Sequence, residues 1–274
     1  MIKRDGWAEA VASRLKTKRI DTATGAKLLG TDSVGGRRRG TKVSSARLAH
    51  FCGKTGRFRS LRKLGVNTAQ MVRSTGPPAI LYGCEVMGVA DSQLHTIRGK
   101  VASAAAAEAG GKSPDLVLYA ADGPCGTLDP AFQAHTAPIW MWAMACWGGW
   151  FDTEVWQKAA DEAAAKRASA KASWWSVVTG PTAALLASLR RLGWTLDSAL
   201  QVTDDLGDKW CFVLDSPAAV TRAAQRAVRR WRVNRIAAQL PGLVPELCDL
   251  PAAVHLRSGP VACGQFLRPL LHAQ

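Results

Sequence analysis

Between Asp129 and Asp152 the chain runs through 22 consecutive residues, Pro130 to Phe151, without one charged side chain. Such a segment either crosses a bilayer or forms the centre of a core. Gln133, His135 and the helix-disrupting Pro138 leave too few continuous apolar residues to span a membrane. A buried helix is therefore expected, and no membrane partner. Asp129-Pro130 marks its start, because a side-chain acceptor ahead of a proline that needs no amide partner suits a first helical turn. Ser216-Pro217 repeats the arrangement. Inside the segment Trp140, Met144, Trp147 and Phe151 recur at steps of 4, 3 and 4, a stripe suited to stacking bases or filling a core. Core is the expected use.

The rest of the 274-residue chain is organised by charge. Residues 1 to 100 carry 20 basic and 6 acidic side chains, residues 101 to 215 carry 8 and 13, and the remainder 8 and 2. Two basic ends around an acidic, Trp-rich middle point to a polyanion touching the ends, since Lys and Arg neutralising phosphates dominate non-specific nucleic-acid affinity. The expected sites are Arg37, Arg38 and Arg39 in a Gly-rich turn, then Arg47, Lys54, Arg57, Arg59, Arg62 and Lys63 on a basic amphipathic helix over 43 to 64. Gly53 and Gly56 are candidate kinks in that helix. Arg222, Arg226, Arg229 and Arg230 form a second ridge on a helix over 217 to 240, opposite Val220, Ala223, Ala227 and Trp231.

Further local signals fill in the order. Ala26 to Ser33 reads as a short strand, Gly65 ends the basic helix, and Asp91 caps an Ala-rich helix running to Ala107. Gly110-Gly111 opens a looser stretch up to Asp129, and Asp152 to Ala172 places acids early and bases late, matching the helix dipole. These features give a mainly α fold: a basic helical region over 1 to 107 with at most a short strand or hairpin, a Trp-rich helical bundle over 108 to 250, and an irregular tail over 251 to 274. Seven cysteines without a C-x-x-C pair argue against a disulfide framework. No secretory signal is visible at the basic N-terminus, so an intracellular place, nucleus or cytoplasm, is expected.

Chemistry-bearing motifs are sparse. Tyr119-Ala120-Ala121-Asp122 has the outline of a polymerase Y-x-D-D turn, but Ala121 occupies the first aspartate position, so no metal pair can form there. Asp204-Asp205 sits beside Gly207 and Asp208 in a turn. Gly110-Gly111-Lys112-Ser113 lacks the leading glycine of a phosphate loop, and Pro114 interrupts the helix that should follow. Cys248, His255, Cys263 and His272 have spacings unlike a common zinc site. No cofactor and no catalytic residue is expected.

Four phrases form an ordered series: Ala26-Lys27-Leu28-Leu29-Gly30-Thr31-Asp32, then Gly36-Arg37-Arg38-Arg39, then Arg57-Phe58-Arg59-Ser60-Leu61-Arg62-Lys63-Leu64-Gly65-Val66, and Leu81-Tyr82-Gly83-Cys84-Glu85. The series resembles the region that follows the catalytic palm in a non-LTR retrotransposon reverse transcriptase. Later phrases, including Thr127-Leu128-Asp129-Pro130-Ala131-Phe132 and Leu192-Gly193-Trp194, resemble retroelement-derived proteins of the same kind. The resemblance implies a thumb and connecting segment that grips template-primer through its backbone, with RNA, DNA or an RNA–DNA hybrid as partner and an upstream palm carrying the catalytic aspartates. The alternative is a degenerate or repurposed retroelement-derived protein-interaction module without nucleic-acid function, whose Trp-rich middle packs on other protein.

Overall fold

The computed structural model describes residues 25–28, 31–34, 40–106, 113–122, 126–169 and 174–239. The fold is mainly helical. In chain order it comprises strands β1 (Gly25–Leu28) and β2 (Thr31–Val34), then helices α1 (Lys42–Lys63), α2 (Thr68–Thr75), α3 (Pro77–Ile80), α4 (Cys84–Met87), α5 (Asp91–Ala105), α6 (Pro114–Asp122), α7 (Pro130–Trp147), α8 (Thr153–Ala168) and α9 (Pro181–Leu192). Strands β3 (Thr195–Ser198), β4 (Gln201–Thr203) and β5 (Lys209–Cys211) follow, and α10 (Pro217–Gln239) closes the described chain.

The uncharged segment forms α7, as expected, and it is central. Asp129 caps it by accepting the Ala131 N–H at 2.9 Å, and Pro130 takes the first helical position. Ile139, Trp142, Ala143 and Cys146 of α7 pack with Leu185 and Leu189 of α9 and with Val220, Ala223 and Ala227 of α10. A second apolar cluster joins Phe51 and Phe58 of α1, Leu94, Ile97 and Val101 of α5, Leu118 of α6 and Ala134 of α7. One helix thus serves both clusters, because its charge-free circumference can be covered on several sides without stranding an ion.

Only part of that circumference is covered. Trp140, Met144, Trp147 and Phe151 are all exposed, which overturns their expected place in the core. The tryptophan between them that is buried is Trp142, whose Nε1 donates to the Ala199 carbonyl at 2.9 Å. A two-residue step rotates a helix position by about 200°, so neighbouring tryptophans meet opposite environments.

Other departures are local. The expected single strand over 26 to 33 is an antiparallel hairpin with Leu28 opposite Thr31. The stretch before Asp129 is not loose throughout: Pro114 begins α6 instead of interrupting a helix. Asp91 is the first helical residue of α5 and not its cap, and its carboxylate accepts from Trp175 and Arg191. The three-stranded antiparallel sheet β3-β4-β5 was not anticipated. Its strands are three or four residues long, too short for alternation to register. The Asp204-Asp205 turn is the tip of its second hairpin, where Asp204 accepts from the Leu206 and Asp208 amides and from Trp210 Nε1.

Helix α1 runs unbroken through both suspected kinks and ends at Gly65, whose φ of +82° lets its amide and that of Val66 turn back to the carbonyls of Arg62 and Leu61. A Cβ added at Gly53 or Gly56 would meet nothing within 4 Å. Gly53→Ala and Gly56→Ala are therefore each expected to raise the unfolding free energy by about 0.5–1 kcal/mol, read from the midpoint of urea denaturation. A decrease would show that these glycines are needed for something other than helix formation.

Candidate nucleic-acid interface

Helix α1 is the element whose side chains are split between core and solvent. Phe51 and Phe58 are buried, with Leu48 partly so, and they seat the helix on α5. The predicted cations divide accordingly. Arg47 lies on the inner side, where Nη1 donates to the Tyr82 carbonyl at 2.6 Å and the guanidinium stands 5.0 Å from the Tyr82 ring centroid. Arg62 is also turned inward, donating to the carbonyls of Ser103 at 3.0 Å and Ala104 at 2.7 Å. It thereby satisfies carbonyls at the C-terminus of α5, which favours a cation. Burial lowers the Arg62 pKa, and the neighbouring Arg59 charge lowers it further. Both arginines are partly buried and engaged by carbonyls of the chain itself.

Lys54, Arg57, Arg59 and Lys63 are exposed. Among the described residues, none of the four has an ion-pair partner. Between them Ala46, Ala49, Gly53, Gly56 and Ser60 recur at steps of 3 and 4, all exposed, so from Ala46 to Ser60 the outermost line of the helix carries only small side chains. At 100° per residue, Lys54 and Arg57 fall on one side of that line, and Arg59 and Lys63 on the other. The result is a smooth ridge bordered by two rows of positive charge. Arg37, Arg38 and Arg39 lie outside the described residues.

The second predicted ridge is divided too. Arg222, Arg226 and Arg229 are exposed on α10. Arg230 instead makes a bidentate pair with Asp205, both contacts at 2.6 Å, while Trp194 Nε1 donates to the same carboxylate at 3.0 Å. Arg230 thus fastens α10 to the tip of the β4-β5 hairpin, and the two basic stretches belong to different packing units, α1 on α5 and α10 on α7.

A third group of charges escaped the sequence reading because it is inside. Arg98, only 2% exposed, makes a bidentate contact with Asp129 at 2.9 and 2.8 Å and donates from Nη1 to Asp115. Arg235 approaches Asp115 at 3.1 and 3.3 Å. Arg232, also buried, places Nε 3.2 Å from Asp129 and Nη1 3.9 Å from Asp122, ion pairs without a good hydrogen bond from Nε. Arg73 reaches Asp122 at 3.4 Å, and Asp122 accepts the amides of Leu128 and Asp129. Burial opposes ionisation of Asp129 and Asp115, but Arg98 with Arg232 or Arg235 outweighs it and lowers both carboxyl pKa values. Burial likewise opposes the Arg98 charge, and Asp129 and Asp115 outweigh it and raise that pKa.

The signal for this cluster was present. Arg98 falls with Leu94, Ile97, Val101 and Ala102 on the buried stripe of α5, and Arg232 falls with Val228 and Ile236 on that of α10. A cation at an apolar-stripe position requires a buried partner. Asp122, considered above as an incomplete polymerase motif, is committed to this network on a helix. Every carboxylate in the cluster is engaged by arginine, so the arrangement ties α2, α5, α6, α7 and α10 together and leaves no free base or nucleophile.

Among the described residues, no group of three His, Cys, Asp or Glu side chains is placed to hold a metal ion. Cys248, His255, Cys263 and His272 lie outside them. No helix among the described residues is long and apolar enough to cross a membrane. The chain matches no protein-family model, no curated protein and no solved structure.

Proposed function

We propose that the chain binds the sugar-phosphate backbone of nucleic acid along the outer ridge of α1, with Lys54, Arg57, Arg59 and Lys63 as the gripping cations. The observation that carries this reading is their exposure without acidic partners on both sides of a line of Ala, Gly and Ser. Small side chains allow a backbone to approach closely, and flanking cations exchange condensed counterions for direct phosphate contact. Arg222, Arg226 and Arg229 supply a second contact region. The proposed role is that of a thumb and connecting segment of a retrotransposon-type reverse transcriptase, acting beside a palm that holds the polymerase aspartates. Contacts of this type carry no base information, so the reading commits to duplex or hybrid backbone and not to a sequence.

The test is fluorescence-anisotropy titration of an RNA–DNA duplex at several salt concentrations. The wild type is compared with a variant carrying Lys54→Gln, Arg57→Gln, Arg59→Gln and Lys63→Gln, and with one carrying Arg222→Gln, Arg226→Gln and Arg229→Gln. Wild-type affinity is expected to fall steeply with salt, and the α1 variant to lose about 100-fold at low salt with its log–log slope flattened by roughly three. Binding that is absent, salt-insensitive or unchanged in the α1 variant would defeat the proposal. A second reading, protein association through the Trp-rich middle, is favoured by one specific observation, the exposed aromatic face of α7.

A further inference from the structure

Trp140, Met144 and Trp147 stand on the uncovered side of α7, and Trp150, Phe151 and Val155 carry the same surface around the turn into α8. Their exposures run from 36% at Met144 to 58% at Phe151. The other sides of α7 are locked by α9, α10 and α4, so this face is preformed and not a product of local mobility. With aromatic side chains of about 150–250 Å² each, the patch amounts to roughly 600 Å². That is about the upper limit for the largest apolar patch of a monomer, roughly 600 Å².

We infer that the face is covered by a second copy of the chain, the two α7 helices packing antiparallel about a two-fold axis at Met144. Three observations select this occupant. Two such patches brought together remove at most roughly 1,200 Å² from water, which reaches the lower end of the range for specific interfaces. The spacing is self-complementary: Trp140 lies four residues before Met144 and Trp147 three after it, so the axis sets each Trp140 against the partner's Trp147, as an isologous contact requires. Methionine at the centre has the flexibility to pack against its own copy.

Charge agrees with the same occupant. No ion lies between Pro130 and Phe151, so pairing desolvates no charged side chain at the centre, while Asp152, Glu154 and Lys158 fall at the exposed rim. A nucleic acid would find no cation among the aromatic residues of this face and would meet two carboxylates against one lysine at its edge. Those carboxylates also oppose an anionic lipid surface.

The experiment is sedimentation velocity of the full chain at micromolar concentration. The wild type is expected at twice the 29.3 kDa chain mass, and Met144→Arg and Trp147→Glu at 29.3 kDa with unchanged far-UV circular dichroism. Met144→Cys, treated with copper–phenanthroline as oxidant, is expected to give an interchain disulfide dimer that the wild type does not form under the same treatment. A monomeric wild type overturns the inference, whether or not it floats with phosphatidylcholine vesicles. So does a dimer indifferent to both charged substitutions, or a Met144→Cys chain that fails to cross-link. None of these changes touches the cations of α1, so duplex binding and dimerisation fail or succeed separately.

Discussion

Asp129→Ala is expected to lower the unfolding free energy by about 3–5 kcal/mol, because it removes one partner of a buried ion cluster and leaves the others uncompensated. Asp129 is 1% exposed, receives both arms of Arg98, lies 3.2 Å from Arg232 and caps α7. Without it Arg98 retains Asp115, but Arg232 is left with Asp122 at 3.9 Å. A loss of that size is a large share of the roughly 5–15 kcal/mol that ordinarily holds a domain together. Urea unfolding followed by tryptophan fluorescence measures it. Asp129→Asn separates charge from capping, since the amide oxygen still accepts the Ala131 N–H. A double change, Arg232→Met with Asp129→Ala, is expected to cost clearly less than the sum of the single changes, since the orphaned cation is the main penalty. An Asp129→Ala protein within about 1 kcal/mol of wild type would show that the cluster does not hold the helices together.

Acidification from pH 7.5 to 5 is expected to destabilise the fold through His135, with a slope that approaches about 1.4 kcal/mol per pH unit below the unfolded pKa of about 6.5. His135 is fully buried and neither ring nitrogen has a hydrogen-bond partner. Burial lowers its pKa well below the usual value, and the nearby charges of Arg191, Arg98 and Arg235 add to the effect. The Trp231 ring closes the site edge-on with centroids 5.0 Å apart. The native ring therefore stays neutral while the unfolded chain takes up a proton. Stability is complete above the unfolded pKa and falls as the pH drops through it. The carboxyl groups of Asp115 and Asp129, whose folded pKa values are lowered, contribute stability above their unfolded value of 3.8, and that part is lost only at more acidic pH. Asp122 is the exception: burial raises its carboxyl pKa, so it takes up a proton earlier in the folded chain and opposes the histidine's slope, and the comparison with His135→Leu is what isolates the histidine. His135→Leu should flatten the dependence between about pH 6.5 and 5; a slope that survives the substitution would assign it to another group.

What the sequence made legible was local chemistry. Asp129-Pro130 and Ser216-Pro217 announced two helix starts, and Gly65 one helix end, because caps and stops depend on residues within one turn of each other. The basic helix was legible as an element, but not which cations it would keep free. Arg47 and Arg62 share its buried side with Phe51 and Phe58, whereas Arg57 and Arg59 do not, and only the position of α5 decides the difference. The same limit explains Trp140: its spacing with Met144 and Trp147 was visible, but whether a neighbour covers that side depends on where α4, α9 and α10 settle. Arg98 was a different kind of miss, since its place on an apolar stripe already demanded an internal partner.

The arginine network also sets an order in time. Asp115 and its partner Arg235 are 120 positions apart, and Arg232 belongs to the same late helix. At a translation rate of about 5–20 residues per second, the carboxylates of α6 emerge roughly 6–24 s before the arginines that complete their set. During that interval the nascent chain holds Asp115, Asp122 and Asp129 with only Arg98 and Arg73 to balance them. The charge balance of the centre is therefore complete only once the final helix has docked, and a chain ending before Arg232 leaves that centre electrically incomplete.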